Sequence, residues 1–169
     1  QEIQVVEEIV RAAGSLSQRR HGALIVLERE SNLGDLIEAG VPVDAKLTKE
    51  LLTSIFQPAS PMHDGAVVIQ EGRVSSAGCI LPLTLRTDLP EGLGTRHRAA
   101  VGITEETDAL VVVVSEETAK ISVVLAGEML QGLEAPQLRV VLRDLMSGEL
   151  KELPEVADTT GRLEVAEEP

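Results

Sequence analysis

Apolar residues recur at spacings of three and four near the start of the chain: Ile3, Val6, Val10 and Ala13, with Val5, Ile9 and Leu16 widening the stripe. That period lines one face of an α-helix, so a helix is expected over residues 2–17. Arg19, Arg20 and His21 follow, and cations at a solvated helix end offset its dipole. The period then changes. Gly22 to Glu28 (GALIVLE) is a short apolar run and predicts a buried strand. A short helix is expected over 35–39, ended by Gly40, and Val41-Pro42-Val43 reads as extended. Thr48 is placed to cap a helix carrying Leu51, Leu52, Ile55 and Phe56, which Pro58 and Pro61 terminate.

Further along, Ala66 to Gln70 (AVVIQ) predicts a strand, Glu71-Gly72 a turn, and Arg73 to Leu81 the returning arm of a hairpin. Residues 86–94 hold Pro90, Gly92 and Gly94 and predict a loop, followed by a helix from Thr95 to Glu106. Leu110 to Val114 has no alternation at all, the pattern of a strand covered on both faces. Lys120 to Leu125 predicts another strand. Pro136 suits the first position of a last helix whose apolar face is Leu138, Val141, Leu142 and Leu145, with Ser147-Gly148 as its stop. From Lys151 the chain is acidic and broken by Pro154, Gly161 and Pro169, which predicts a mobile tail. Hairpin and crossover signals are mixed. The expected class is therefore α/β (mixed α+β), a single domain around a central mixed β-sheet.

Composition narrows the function. With 169 residues and 43% hydrophobic residues, the chain can bury one core of ordinary size. Phe56 is the only aromatic, so that core is built of Val, Leu, Ile and Ala, and the stacking platforms of a single-stranded nucleic-acid binder are absent. A net charge of −13 repels a phosphate backbone, which argues against nucleic acid as a partner. A small phosphorylated ligand would need locally gathered cations or a helix N-terminus. The lone Cys79 excludes an intrachain disulfide and sits in an apolar context. No signal peptide and no run of 18 apolar residues is present, and the chain begins with Gln1 rather than Met, so it is read as a fragment.

Three clusters carry possible chemistry. The first is Pro61-Met62-His63-Asp64-Gly65-Ala66, just before a strand. Small neighbours leave the Asp64 carboxylate accessible to a metal ion or a proton, with His63 as a second metal ligand or a phosphate donor. An Asp-Gly turn feeding a strand is the plainer alternative. The second is Gly94-Thr95-Arg96-His97-Arg98. If Thr95 caps the helix, two arginines and a histidine crowd its first turn, where an empty helix prefers anions by a few tenths to about 1 kcal/mol per charge. The placement becomes reasonable with a polyphosphate there, met by amides and guanidinium forks together. Pairing of these arginines with surface carboxylates is the alternative. The third is Ser115-Glu116-Glu117, directly after a strand, where ligands often bind; a polar turn is the alternative. No P-loop, dinucleotide fingerprint, zinc spacing or nucleophile elbow occurs.

Taken together, these segments resemble the diadenylate cyclase family. Its two defining motifs stand here as Asp64-Gly65-Ala66 and Arg96-His97-Arg98, within SPMHDGAVVI and GTRHRAAVGITEETDALVVVVSEETAKIS, with SAGCILPLT between them. The similarity runs from about Gly22 to Leu145, and it is nearest to the membrane-anchored class. The resemblance implies a mixed sheet flanked by helices. It implies condensation of two ATP into cyclic di-AMP and two pyrophosphates by a facing homodimer with a divalent metal (Mg²⁺, Mn²⁺ or Co²⁺). Asp64 would bind the metal or take the proton of the attacking ribose 3′-hydroxyl, and His63 would be a second ligand. Arg96 and Arg98 would bind phosphates, with Thr95 and His97 assisting and Ser115, Glu116 and Glu117 close by. Gly65 would let the nucleotide approach, and the Leu81 backbone would read adenine. Ile80 stands where many relatives carry an aromatic residue, and Ala119 where they often carry glycine. Residues 1–17 would be a linker helix after a transmembrane anchor, 18–150 the catalytic domain and 151–169 a tail. The full-length protein would then lie on the cytoplasmic face of the bacterial membrane, within reach of a regulatory protein. A silent module that only holds ATP or cyclic di-AMP, and an interaction domain dimerising through the first helix, are the competing readings.

Overall fold

The structure, a computed structural model, describes residues 2–157 and 163–164. Along the chain run α1 (Glu2–Arg19), β1 (Ala23–Leu27), α2 (Gly34–Glu38), β2 (Val41–Lys46), α3 (Lys49–Ile55), β3 (Ala66–Gln70) and β4 (Arg73–Cys79). These are followed by α4 (Thr95–Glu106), β5 (Leu110–Val114), β6 (Ile121–Leu125), β7 (Glu128–Leu130) and α5 (Ala135–Ser147). Two further two-residue strands, β8 (Val156–Ala157) and β9 (Leu163–Glu164), pair with each other. They fall inside the expected tail, whose residues 158–162 and 165–169 lie outside the described residues.

Seven strands make one mixed sheet in the order β2-β4-β3-β1-β5-β6-β7. Only β1 and β3 run parallel, Ile25 beside Val67; β5 runs antiparallel to β1 with Ala23 opposite Val114. Every residue of β1 and β5 is buried. The reason is that helices cover both faces. Ala23, Ile25 and Leu27 join Leu110, Val112 and Val114 in the core under α1, α3 and α5. Leu24 and Val26 join Val111 and Val113 in a second core that also holds Ala99, Ala100, Val101 and Ile103 of α4. Each fully buried Val, Leu or Ile side chain among them contributes roughly 1.5–3 kcal/mol through water exclusion.

The helix expected over 2–17 extends to Arg19 and is a layer of this core: Val5, Val6, Ile9, Val10, Ala12, Ala13 and Leu16 are all buried. A stripe that wide is too costly to leave in water. Arg139 of α5 holds Glu7 of α1 bidentately through the Nε–Nη2 edge of its guanidinium, at 2.9 and 3.2 Å. Thr48 caps α3 as expected, its hydroxyl accepting from the Leu51 amide at 3.0 Å. Pro136 is not the first residue of the last helix. Glu134 and Gln137 close a reciprocal capping box that starts α5 one residue earlier, at Ala135, and the missing amide of Pro136 is harmless in that first turn.

The edges are where the sequence pattern was weakest. The stretch read as extended over 41–43 is a strand to Lys46, irregular between Pro42 and Ala45, which suits an outer strand. The three-residue β7 has no apolar run to announce it and forms because β6 offers an open edge. The hairpin arm β4 stops at Cys79, short of the expected Leu81. Replacing Ile9 by Ala should lower the unfolding free energy by about 2–4 kcal/mol with an unchanged denaturant slope, measured by urea titration; a loss below about 1 kcal/mol would mean α1 is only loosely attached.

Candidate active site

The starts of β1 and β3 and the ends of β4 and β5 meet at one end of the sheet, since β3 pairs parallel to β1 while β4 and β5 run against them. A cleft of about 510 Å³ opens there. Its wall includes His63, Asp64, Gly65, Leu81, Thr95, Arg96, His97, Ser115, Glu116 and Glu117. Of the residues expected at the site, Ala66 and Arg98 are not on that wall. Ala66 is a buried strand residue paired with Cys79. Arg98 lies two positions past Arg96 on α4, roughly 200° around the helix, so the two guanidinium groups leave on different faces.

Gly65 sets the position of Asp64. Its φ is +120°, and a Cβ there would lie 2.8 Å from the carbonyl carbon of Gly78 in β4, so no side chain fits. The Asp64 carboxylate is exposed and has no hydrogen bond or ion pair among the described residues. The His63 ring is oriented by the chain beside it: Nδ1 lies 2.7 Å from the carbonyl oxygen of Ser60. A carbonyl only accepts, so Nδ1 carries a proton and Nε2 is the ring nitrogen left for a ligand. That arrangement prepares a histidine for metal or proton chemistry.

The opposite wall is the start of α4. Thr95 is not the cap. Gly94 occupies that position with extended backbone, its carbonyl accepting from the Arg98 amide at 3.2 Å, and Thr95 is the first helical residue. Having no side chain, Gly94 leaves the first-turn amides uncapped, and no acidic residue stands in that turn. Arg96 packs over Gly22: a Cβ at Gly22 would collide with the guanidinium. Its Nη1 is 3.7 Å from a Glu116 carboxylate oxygen, while its Nε is buried without a partner. His97 is 5% exposed and its Nδ1 is also buried without a partner. Burial pushes the His97 pKa down, the Arg96 charge adds to this, and Glu117 opposes it.

The third wall is the turn between β5 and β6. The Ser115 hydroxyl accepts from the Thr118 amide at 3.1 Å, which leaves its own proton to donate. The Ala119 amide closes the turn onto the Ser115 carbonyl at 3.0 Å, with Ala119 at φ +64°. Relatives with glycine there would avoid that strain. Among the described residues no three His, Cys, Asp or Glu side chains converge as a metal cage. His63, Asp64, Glu116 and Glu117 nonetheless share one cleft, a sparse donor set that fits an ion completing its shell from phosphate oxygens and water. Leu24, Ile80, Leu81 and Leu83 give the cleft an apolar side. Gly22 and Leu24 carried no functional signal in the sequence. A glycine opening a strand is commonplace, and only the folded arrangement sets it under Arg96.

An uncapped helix start with a cation, sharing one cleft with a free carboxylate and an imidazole, is an arrangement that can receive a small polyanionic ligand. The chain belongs to the diadenylate cyclase domain family, described as "DisA bacterial checkpoint controller nucleotide-binding", whose profile matches residues 10–129. It is 44% identical over 137 residues to the cyclic di-AMP synthase CdaA of Bacillus subtilis, covering 81% of this chain and 50% of that protein. It is 52% identical over 119 residues to the diadenylate cyclase CdaS of Bacillus thuringiensis, covering 70% and 59%. The fold matches a solved double mutant of DacA from Staphylococcus aureus with a TM-score of 0.81 at 40% identity, over 83% of this chain and 94% of that one. The chain spans about half the length of the curated relatives it matches.

The folded pKa of His97 lies below the ordinary 6.5, so the unfolded chain takes up that proton first on acidification. The stability contributed by the neutral ring is present above about pH 6.5 and is lost as pH falls through the folded value. The thermal midpoint should therefore drop more steeply below pH 6.5 in the parent than in His97→Gln. Equal slopes would mean the ring is not held neutral.

Proposed function

We propose that the chain is the catalytic domain of a diadenylate cyclase, joining two ATP molecules into cyclic di-AMP with release of two pyrophosphates. The observation that carries this reading is the pairing of opposites across one cleft. Asp64 and the free Nε2 of His63 stand on one wall, Arg96 and the uncapped start of α4 on the other. A triphosphate is received by the first-turn amides of α4, the Arg96 guanidinium, and the hydroxyls of Thr95 and Ser115. The apolar side at Leu81 and Leu83 suits a purine, with Ile80 offering contact but no ring to stack on. Family membership and the names of the relatives support the same substrate class.

The reaction forms a bond from a ribose 3′-oxygen to the α-phosphorus of the other ATP. The bond from that phosphorus to the β-phosphate bridging oxygen breaks, and pyrophosphate leaves with the electron pair. Asp64 accepts the proton of the attacking 3′-hydroxyl as the new bond forms. Asp64 and Nε2 of His63 are the groups that would hold a divalent ion, Mg²⁺, Mn²⁺ or Co²⁺, and such an ion supplies charge neutralisation at the phosphates. Arg96 shares that work at the departing pyrophosphate. The cleft has the size of a single small-molecule site. Two copies must therefore face each other, and the second attack closes the ring by the same chemistry. Holding two nucleotides opposed supplies much of the rate. The chain is read as the cytoplasmic part of a membrane-anchored protein. Support comes from a solved neighbour from Bacillus cereus described as a hypothetical membrane spanning protein, with a TM-score of 0.72 at 49% identity, over 75% of this chain and 62% of that one.

The test is product analysis by chromatography after incubation with ATP and Mn²⁺ or Mg²⁺. The parent should yield cyclic di-AMP, with specific activity rising with protein concentration. Asp64→Asn should lose at least about 10³-fold in rate and keep ATP binding within several fold. ATP bound but unconverted by the parent at every concentration would make the domain a silent nucleotide-binding module. Full specific activity in a dilute, strictly monomeric preparation would remove the facing dimer.

A further inference from the structure

The end of α1 reaches the turn that carries Ser115, Glu116 and Glu117. The Arg20 Nη1 donates to the Glu117 carbonyl at 2.9 Å, and the Ser17 hydroxyl donates to the Ala119 carbonyl at 2.5 Å. These bonds join segments about a hundred residues apart in sequence, with separations of 97 and 102. They land on backbone, so they fix the path of the turn and leave its carboxylates free.

Both ends of this contact are held in unfavourable backbone. Arg20 sits at φ +56° just after α1, with the His21 amide bonded to the Leu16 carbonyl at 2.9 Å and the Arg20 amide to Ser17 at 3.1 Å. That is the helix-ending motif in which glycine normally takes the left-handed position. Ala119, whose carbonyl takes the Ser17 bond, is left-handed at φ +64°. Strain of this kind persists where the surrounding structure over-determines it, and it concentrates at functional sites. Two residues beyond Arg20, Gly22 lodges the Arg96 guanidinium that pairs with Glu116. One junction thus touches the turn by two separate routes.

We propose that Arg20 and Ser17 are positioning residues for the reaction. They clamp the 115–119 turn so that Ser115, Glu116 and Glu117 are held at the triphosphate and its metal. Neither residue lines the cleft, and each acts through the backbone of the turn. The inference rests on the function proposed above, and it assigns a catalytic consequence to a cluster that sequence alone reads as a solvated helix end.

Arg20→Gly separates this role from simple stability. Glycine relieves the left-handed strain, so the variant should unfold at the same temperature as the parent or higher. Its kcat should nevertheless fall about tenfold with the ATP KM within about twofold, the scale expected from losing one or two well-placed hydrogen bonds. Hydrogen exchange at the amides of Thr118 and Ala119 should quicken at least about fivefold. Ser17→Ala should move kcat and exchange in the same direction, and Arg20→Lys should recover part of both. Arg139→Ala, which frees α1 from α5 at a different point, should leave kcat and those amides unchanged. Unaltered exchange and kcat in Arg20→Gly would overturn the proposal, as would equal losses in Arg139→Ala, which would show general docking of α1. If the parent makes no cyclic di-AMP, the proposed function fails, and the exchange measurement still decides whether the clamp exists.

Discussion

The antiparallel ladder that sets Ala23 opposite Val114, and the parallel one that sets Ile25 beside Val67, bring the starts of β1 and β3 to the end of β5. All three cleft walls hang on that register. A slip of one residue would turn each central strand over, exchanging the side chains of its two cores. Here such a slip is blocked because both faces are packed: Ile25 and Val112 are fully buried on one side, Val26 and Val113 on the other. The apolar runs that bury β1 and β5 on both faces thereby fix where the cleft walls meet.

Around this frame the electrostatics are local and run against the whole. The chain carries a net charge of −13, yet the start of α4 has no acidic residue, no side-chain cap and a guanidinium 20% exposed. An anion approaching such a chain would be repelled at long range and would meet gathered donors only at the cleft. Screening at physiological salt shortens the repulsion to within about 8 Å. Such a contrast would favour a compact polyanion that enters the cleft over an extended phosphate backbone.

Glycine is used where the walls must touch. Gly65 admits the backbone of β4 at the base of Asp64, and Gly22 admits the guanidinium of Arg96. Where the chain could have used glycine and does not, at Arg20 and Ala119, the carbonyls and side chains at those positions are joined across the fold. Strain and contact occur together at the junction of α1 with the β5–β6 turn.

Apolar stripes and unbroken apolar runs placed α1, β1, β3, β5 and the face of α5, because they leave few ways to exclude water, while α4 was placed by the loop that precedes it. The ordered motifs Asp64-Gly65-Ala66 and Arg96-His97-Arg98 identified the family, because their spacing is specific even where each triplet is not. What depends on neighbours was not legible. Thr95 looked like a cap until Gly94 took that position, and only the folded helix sets Arg98 about 200° round from Arg96. The three-residue β7 exists only because β6 offers it an edge. Gly22 under Arg96, the Ser60 carbonyl that fixes the His63 tautomer, and the Arg20 and Ser17 bonds to the 115–119 turn are likewise tertiary facts. Local pattern determines which segments must hide from water. Which polar groups then meet is set by packing between residues far apart in the chain, and no period in the sequence records it.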